Sequence, residues 1–275
     1  MEHLCVTTSK RRILMIVMFF ALSTFCSSAG AVLYDDFTGT AGSQVDAAKW
    51  ITNGSGFTLS GSGYLEFENT SANNAMLLST ALFTSGVFTM PFLDYESDND
   101  ALPGLGLGSV VALGLGSRDD GAWVRIERGQ VLGTPIGQYI EVNWSIKDSS
   151  GSWSDIYVNY IQSEILSGEL RIQYDGTQVT FFYRTLVTDP WIQMLKTGSG
   201  GIPLPGDQPL VIAPGWTDGV PIFVQAVPGG VATDNYKLSF KVDYVDYINV
   251  PEPATLLLLG FGLIGLAGAR RRSKK

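Results

Sequence analysis

The sequence predicts an all-β sandwich, and three observations point to it. From Val32 to Asn249 no long stretch repeats apolar residues at helical spacing. Alternating or β-branched runs are instead cut by Gly, Ser, Asn and Asp roughly every eight to twelve residues, the rhythm of a two-sheet fold. Asp175-Gly176 stands between β-branched and aromatic runs, which is the strongest short-range hairpin signal a chain offers.

In order, the expected strands begin with Leu33 to Phe37. Trp50 to Thr52, Phe57 to Ser60 and Tyr64 to Glu68 follow, joined by Gly/Ser turns. Phe83 to Phe92 is the next. Leu105 to Leu115 holds a short echo, Leu-Gly-Leu-Gly-Ser, repeated at Leu113 to Ser117. Alternating Gly leaves one face bare, so a bulky side chain or another backbone can lie close. Trp123 to Arg128 sets Val124 and Ile126 against Trp123, Arg125 and Glu127, and Gln138 to Trp144 alternates likewise. The hairpin takes Leu170 to Tyr174 and Thr177 to Thr185. Lys196 to Gly206 is Gly/Pro-rich and reads as a loop. Val220 to Val227 and Tyr236 to Ile248 complete the strands.

Two segments flank this domain. Residues 1–31 read as a secretory signal peptide for signal peptidase: Lys10, Arg11 and Arg12, an apolar Ile13 to Phe25, then Ala29-Gly30-Ala31. Cys26 raises the alternative of a lipoprotein anchor, but the bulky Phe25 before it argues against that. Residues 250–275 open with Val250-Pro251-Glu252-Pro253. Prolines at 251 and 253 exclude a helix interior or central strand, so this is an extended, exposed hinge. Ala254 to Ala269 is apolar except for Thr255, and sixteen residues would rise about 24 Å as a helix. Arg270, Arg271 and Arg272, with Lys274 and Lys275, hold that end in the cytoplasm and leave residues 32–249 outside.

Composition then excludes several chemistries. The chain has 2 Cys and 1 His, and Cys5, Cys26 and His3 all fall within the first 31 residues. The domain of about 220 residues therefore holds no disulfide, no Cys/His zinc site, no Cys nucleophile and no Ser-His-Asp triad. It must rely on an ordinary apolar core. The whole chain carries −8, and residues 32–249 alone, with ten basic and twenty-four acidic residues, carry −14. Such a surface repels nucleic acid and anionic lipid and suits divalent cations and neutral polymers.

The tail closely resembles the PEP-CTERM sorting signal of Gram-negative, exopolysaccharide-producing bacteria. The resemblance rests on Val250-Pro251-Glu252-Pro253, the Leu/Gly-rich run and the Arg cluster. It implies handling by an exosortase, a membrane transpeptidase-like enzyme that cuts near Pro-Glu-Pro. An uncut membrane anchor is the alternative. A second resemblance spans most of the domain, in looser pieces. Asp35-Asp36-Phe37 with Trp50, the hairpin from Leu170 to Arg184, and the closing Phe240 to Val245 are similar to concanavalin A-like jelly rolls. It implies that the first strand pairs with the last.

That fold includes laminarinase-like glucanases, whose motif Glu-x-Asp-x-(x)-Glu places nucleophile and acid on one strand face. Glu96-Ser97-Asp98-Asn99-Asp100 is a weak echo, with Asp last and polar residues between, in a stretch that reads as a loop before Pro103. No catalytic residue is assigned there. Asp94, Glu96, Asp98 and Asp100 could wrap a calcium ion, Ca2+, although no EF-hand Gly or distal Glu accompanies them; a solvated acidic loop is the bland alternative. Asp119-Asp120-Gly121 reads as a turn. Of the 6 Trp, Trp153, Trp191 and Trp216 lie in or beside loops, where an indole could stack on a sugar or simply pack. Trp50, Trp123 and Trp144 fall within strands.

The expectation is an exported, non-enzymatic envelope or extracellular-matrix protein. It would anchor in the inner membrane in transit, then face the periplasm and finally the cell surface. The jelly-roll resemblance implies binding of carbohydrate, such as exopolysaccharide. A glycan-acting hydrolase with dispersed carboxylates and a purely structural matrix component are the alternatives.

Overall fold

The structure is a computed structural model. It describes residues 32–69, 74–98, 108–116, 120–129, 137–147, 150, 153–197, 204–229 and 236–249. The expected signal peptide and the sorting tail beyond Asn249 lie outside the described residues.

Seventeen strands are described. They are β1 (Val32–Asp35), β2 (Trp50–Asn53), β3 (Phe57–Leu59), β4 (Leu65–Asn69), β5 (Ala75–Ser79), β6 (Gly86–Ser97), β7 (Ser109–Gly116), β8 (Asp120–Gly129) and β9 (Gly137–Lys147). β10 (Trp153–Gln162), β11 (Gly168–Tyr174), β12 (Val179–Arg184), β13 (Ile192–Gln193), β14 (Val211–Ile212), β15 (Ile222–Val227), β16 (Leu238–Val242) and β17 (Val245–Ile248) follow. No helix occurs among the described residues.

The strands form two antiparallel sheets packed face to face. A ten-stranded sheet runs β13-β12-β11-β6-β16-β4-β3, with β14 on β12 and β17 bridging β6 and β1. A seven-stranded sheet runs β10-β9-β8-β7-β15-β5-β2. The expected pairing of first and last strands is present, with Val32 opposite Tyr247.

Alternation decides what fills the space between the sheets. Phe88, Met90 and Phe92 of β6, with Leu170 and Ile172 of β11, come from the larger sheet. Val111, Leu113 and Leu115 of β7, with Val124 and Ile126 of β8, come from the smaller one. The bare face read at the Gly-rich run is filled: a Cβ on Gly114 would lie 2.0 Å from the Phe223 ring.

Four expectations are corrected. β6 does not end at Phe92 but runs to Ser97, so Asp94 and Glu96 stand on a strand rather than in a loop. A bulge explains it. Asp94 takes φ 53°, and the β6–β16 register slips between Ser239 and Lys241. The extra residue reverses the alternation, so Tyr95 turns into the core and the polar neighbours stay outside. β5 and β10 were not among the expected strands. β5 is a five-residue apolar run that periodicity cannot assign, and β10 begins among Ser and Asp. The hairpin tip is Gly176-Thr177 rather than Asp175-Gly176, because the Asp175 N–H donates to the Gln178 carbonyl at 3.1 Å. Gly176 does take positive φ, 95°. Asp120 opens β8 instead of turning the chain.

Candidate functional site

The outer face of the seven-stranded sheet, opposite the core, is polar where β8 and β9 meet. Period-2 alternation puts Trp123, Arg125 and Glu127 of β8 on that face. The antiparallel register sets them opposite Asn143, Glu141 and Tyr139 of β9. On the other side of β8 stand Gly114, Ala112 and Val110 of β7, small or branched, and beyond them Phe223, Gln225 and Val227 of β15. Trp123 leans edge-on to Phe223 with ring centroids 6.0 Å apart, over the space that Gly114 leaves open.

At the centre of this face one guanidinium serves two carboxylates. Arg125 Nη2 is 2.7 Å from Glu127 Oε2 and 2.5 Å from Glu141 Oε1. Both oxygens contact one nitrogen, so they lie no more than about 5 Å apart, and the two carboxyls also hydrogen-bond each other. Gly108 N donates to Glu127 Oε1 at 3.1 Å, and a side chain at Gly108 would collide with that carboxyl. Glu127, Glu141, Asn143 and Ser145 are all buried, and the buried Trp123 N–H finds no acceptor among the described residues. Burial pushes Glu141 up to about 8; Arg125 opposes the shift and the neighbouring Glu127 adds to it. Glu141 therefore holds a proton at neutral pH.

None of these residues was singled out as a site in the sequence. The signal was present in part. Trp123, Arg125 and Glu127 follow the i, i+2, i+4 spacing of the glucanase motif, with Trp and Arg where that motif has Glu and Asp. The partner Glu141 comes from another strand, which spacing along the chain cannot reveal.

The described residues among Asp94, Glu96, Asp98, Trp191 and Trp216 lie away from this cluster. Asp94 Oδ2 accepts from Lys241 Nζ at 2.9 Å, and Asp98 Oδ1 accepts from Lys237 N at 2.6 Å. Glu96 is exposed on β6, and Asp100 lies outside the described residues. Among the described residues no group of three or more His, Cys, Asp or Glu stands close enough to hold a metal ion. Trp216 Nε1 donates to Asp120 Oδ2 at 2.8 Å, and its ring meets Tyr174 edge-on. Trp144 Nε1 donates to the other oxygen of Asp120, also at 2.8 Å, so this carboxylate joins two indoles. Trp191, beside the outer face of the ten-stranded sheet, lies under two guanidiniums, Arg171 at 3.6 Å and Arg184 at 4.4 Å. Trp153 opens β10, and its side chain is outside the described set.

β17 ends at Ile248, and after Asn249 the chain enters Val250-Pro251-Glu252-Pro253, its apolar run and its arginines. Residues 249–272 match the PEP-CTERM protein-sorting motif. This motif is the recognition signal of exosortase, and it marks a secreted protein processed at the membrane. No curated protein sequence matches the chain. Among solved structures, the xyloglucan-locus protein GH43B of Bacteroides ovatus matches at TM-score 0.52 and 11% identity, over 78% of this chain and 39% of that one. The GH43 protein BlXynB of Bacillus licheniformis matches at 0.51 and 13%, over 78% and 39%. A beta-1,3-glucanase from Mycobacterium marinum gives 0.49 and 17%, over 78% and 96%. At such identities the two matches above 0.5 show a shared β-sandwich fold and say nothing of activity.

Proposed function

We propose that this protein is an exosortase-processed envelope or matrix component whose sandwich, of jelly-roll type, binds glycan without cleaving it. The observation that carries this reading is the row Trp123, Arg125 and Glu127 beside Tyr139, Glu141 and Asn143. An indole, a guanidinium and a carboxamide on one sheet face are the groups that stack on a sugar ring and hydrogen-bond its hydroxyls. Trp123 and Arg125 are the half-buried members and would meet the ligand; Glu141 and Asn143 form the floor. Arg125 argues against catalysis. It binds both carboxylates at once, so neither is free to attack an anomeric carbon or protonate a leaving group. The polymer is the exopolysaccharide of the envelope into which the sorted protein is delivered, first from the periplasmic side and then at the surface.

Affinity electrophoresis through gels containing laminarin or the host exopolysaccharide tests the reading. The protein should be retarded, and Trp123→Ala should restore free mobility. Identical mobilities with and without polymer would remove the proposal. The sorting step has its own test. Mature protein from the native host should lack the tail on C-terminal mass spectrometry, and Glu252→Ala should leave it membrane-bound. A surface protein that still ends at Lys275 would contradict cleavage.

One observation favours a second reading, a glycan hydrolase. Glu141 held protonated beside Glu127 is the asymmetry a retaining pair needs. Release of new reducing ends from a β-glucan, lost in Glu141→Gln, would establish that reading over the first.

A further inference from the structure

The place where the chain leaves the sandwich constrains how the domain can stand on the membrane. β17 is held from both sides. Tyr247 is opposite Phe88 of β6 and Val32 of β1, and Ile248 is opposite Val87. The Tyr247 ring packs on Phe83 at 4.8 Å and on Phe88 at 5.3 Å, in the space that Gly86 leaves free. The strand is thus an integral part of the sheet up to Ile248, and the sorting motif begins one residue later. From Ile248 to Ala254, the start of the apolar run, is six residues, at most about 21 Å even when fully extended. Part of that reach is spent crossing the headgroup layer, so the connection between the sheet end and the apolar run is short.

That end of the sandwich is apolar at its surface. Val32 is 60% exposed, Leu33 51% and Leu82 66%. Leu82 adjoins Phe83, on which Tyr247 packs, so all three border the exit strand. Acidic Asp175 and Asp218 are also at this end, and Asp175 is occupied by the Thr177 and Gln178 N–H groups of its own turn. The opposite end lies beyond Phe92, about 17 Å further along β6. There Glu96, Asp98, Arg128, Gln138, Lys237 and the exposed Leu166 are among the residues that line a cleft of about 370 Å³.

We propose that, while the tail is uncut, the exit end of the sandwich rests on the bilayer surface through Val32, Leu33 and Leu82. The cleft at the opposite end then faces outward. The occupant of this apolar rim is lipid, because the membrane segment follows so closely and no other partner is needed to bring them together. The orientation is imposed by the short tether and sealed by the apolar rim. It does not depend on whether the sheet face binds glycan.

Because Cys5 and Cys26 are the chain's two cysteines, replacing both with serine allows clean single-site labelling. The full chain, tail included, is placed in nanodiscs of zwitterionic lipid carrying spin-labelled headgroups, with no exosortase present. Bimane at Leu33→Cys or Leu82→Cys should be quenched several-fold more than bimane at Val187→Cys. Val187 is an equally exposed apolar residue just beyond β12, at the far end. A flexible insertion of about twenty residues before Val250, spanning about 25 Å, should abolish the difference. Equal quenching at the three positions, or none at 33 and 82, would overturn the proposal. So would a difference that persists unchanged with the insertion, because the tether would then play no part.

Discussion

On the outer face of the seven-stranded sheet one guanidinium, Arg125, serves two carboxylates, Glu127 and Glu141. On the outer face of the ten-stranded sheet two guanidiniums, Arg171 and Arg184, lie over Trp191 beside two carboxylates, Glu169 and Asp246. Burial does not separate the two arginines. The Arg125 side chain is 16% exposed and that of Arg184 is 15%. The acids differ in burial, Glu141 being buried and Asp246 half-buried, and the two groups differ in stoichiometry. Burial above all, with Glu127 beside it, pushes Glu141 up to about 8, and the one cation only partly opposes this. On the other face Arg184 pairs with Glu169, and the aromatic ring adds a cation–π contact. A nearby Thr89 hydroxyl and Arg171 then partly oppose the upward push of burial on Asp246. A sheet face can therefore hold the same residue types either as an unbalanced, proton-holding cluster or as a balanced surface network.

The sharpest way to break the comparison is Arg125→Met. It leaves two buried carboxyls without a cation and should cost about 3–5 kcal/mol at pH 7.5 in urea unfolding. A loss below that of Trp191→Ala would mean the cluster is more solvated than its geometry implies.

Glu141→Gln tests the proton. An ordinary glutamate titrates near 4.5, and here the folded value is raised to about 8. Between those values the folded protein binds more protons than the unfolded chain, so stability falls as pH rises from about 4.5 to about 8 and levels off above. Melting temperature against pH should show that slope, and Glu141→Gln should flatten it. An unchanged slope would place the titrating group elsewhere.

Gly114→Val asks whether the face is as closely packed as described. The new side chain meets the Phe223 ring, so overpacking should cost about 1–3 kcal/mol, and Phe223→Ala in the same chain should recover part of it. Trp191→Ala on the balanced face should do least, about 1 kcal/mol from the lost cation–π contacts. Calorimetry of both variants ranks them, and a larger loss for Trp191→Ala would reverse the order argued here.

Much of the architecture was legible because it is local. Val124 and Ile126 face inward and Arg125 outward by alternation alone. Gly176 marks a turn because only glycine takes its φ cheaply. The sorting motif is a linear string, read by an enzyme as a string, and it needs no fold to be recognised. Proline, the apolar run and the arginines carry it by themselves. The absence of Cys and His from residues 32–249 is likewise a property of the chain. Tertiary structure decided the rest. A bulge at Asp94 carries β6 past polar residues that look like a loop, since only pairing with β16 and the burial of Tyr95 stabilise it. Asp120 looks like a turn residue until Trp144 and Trp216 both reach it, the second from 96 positions away. The pairing of Glu127 with Glu141 depends on the β8–β9 register, and the raised pKa of Glu141 depends on burial beside that partner. Alternation, turns and linear motifs are set by neighbours along the chain. Register and desolvation are set by neighbours across space, which one strand's sequence does not encode.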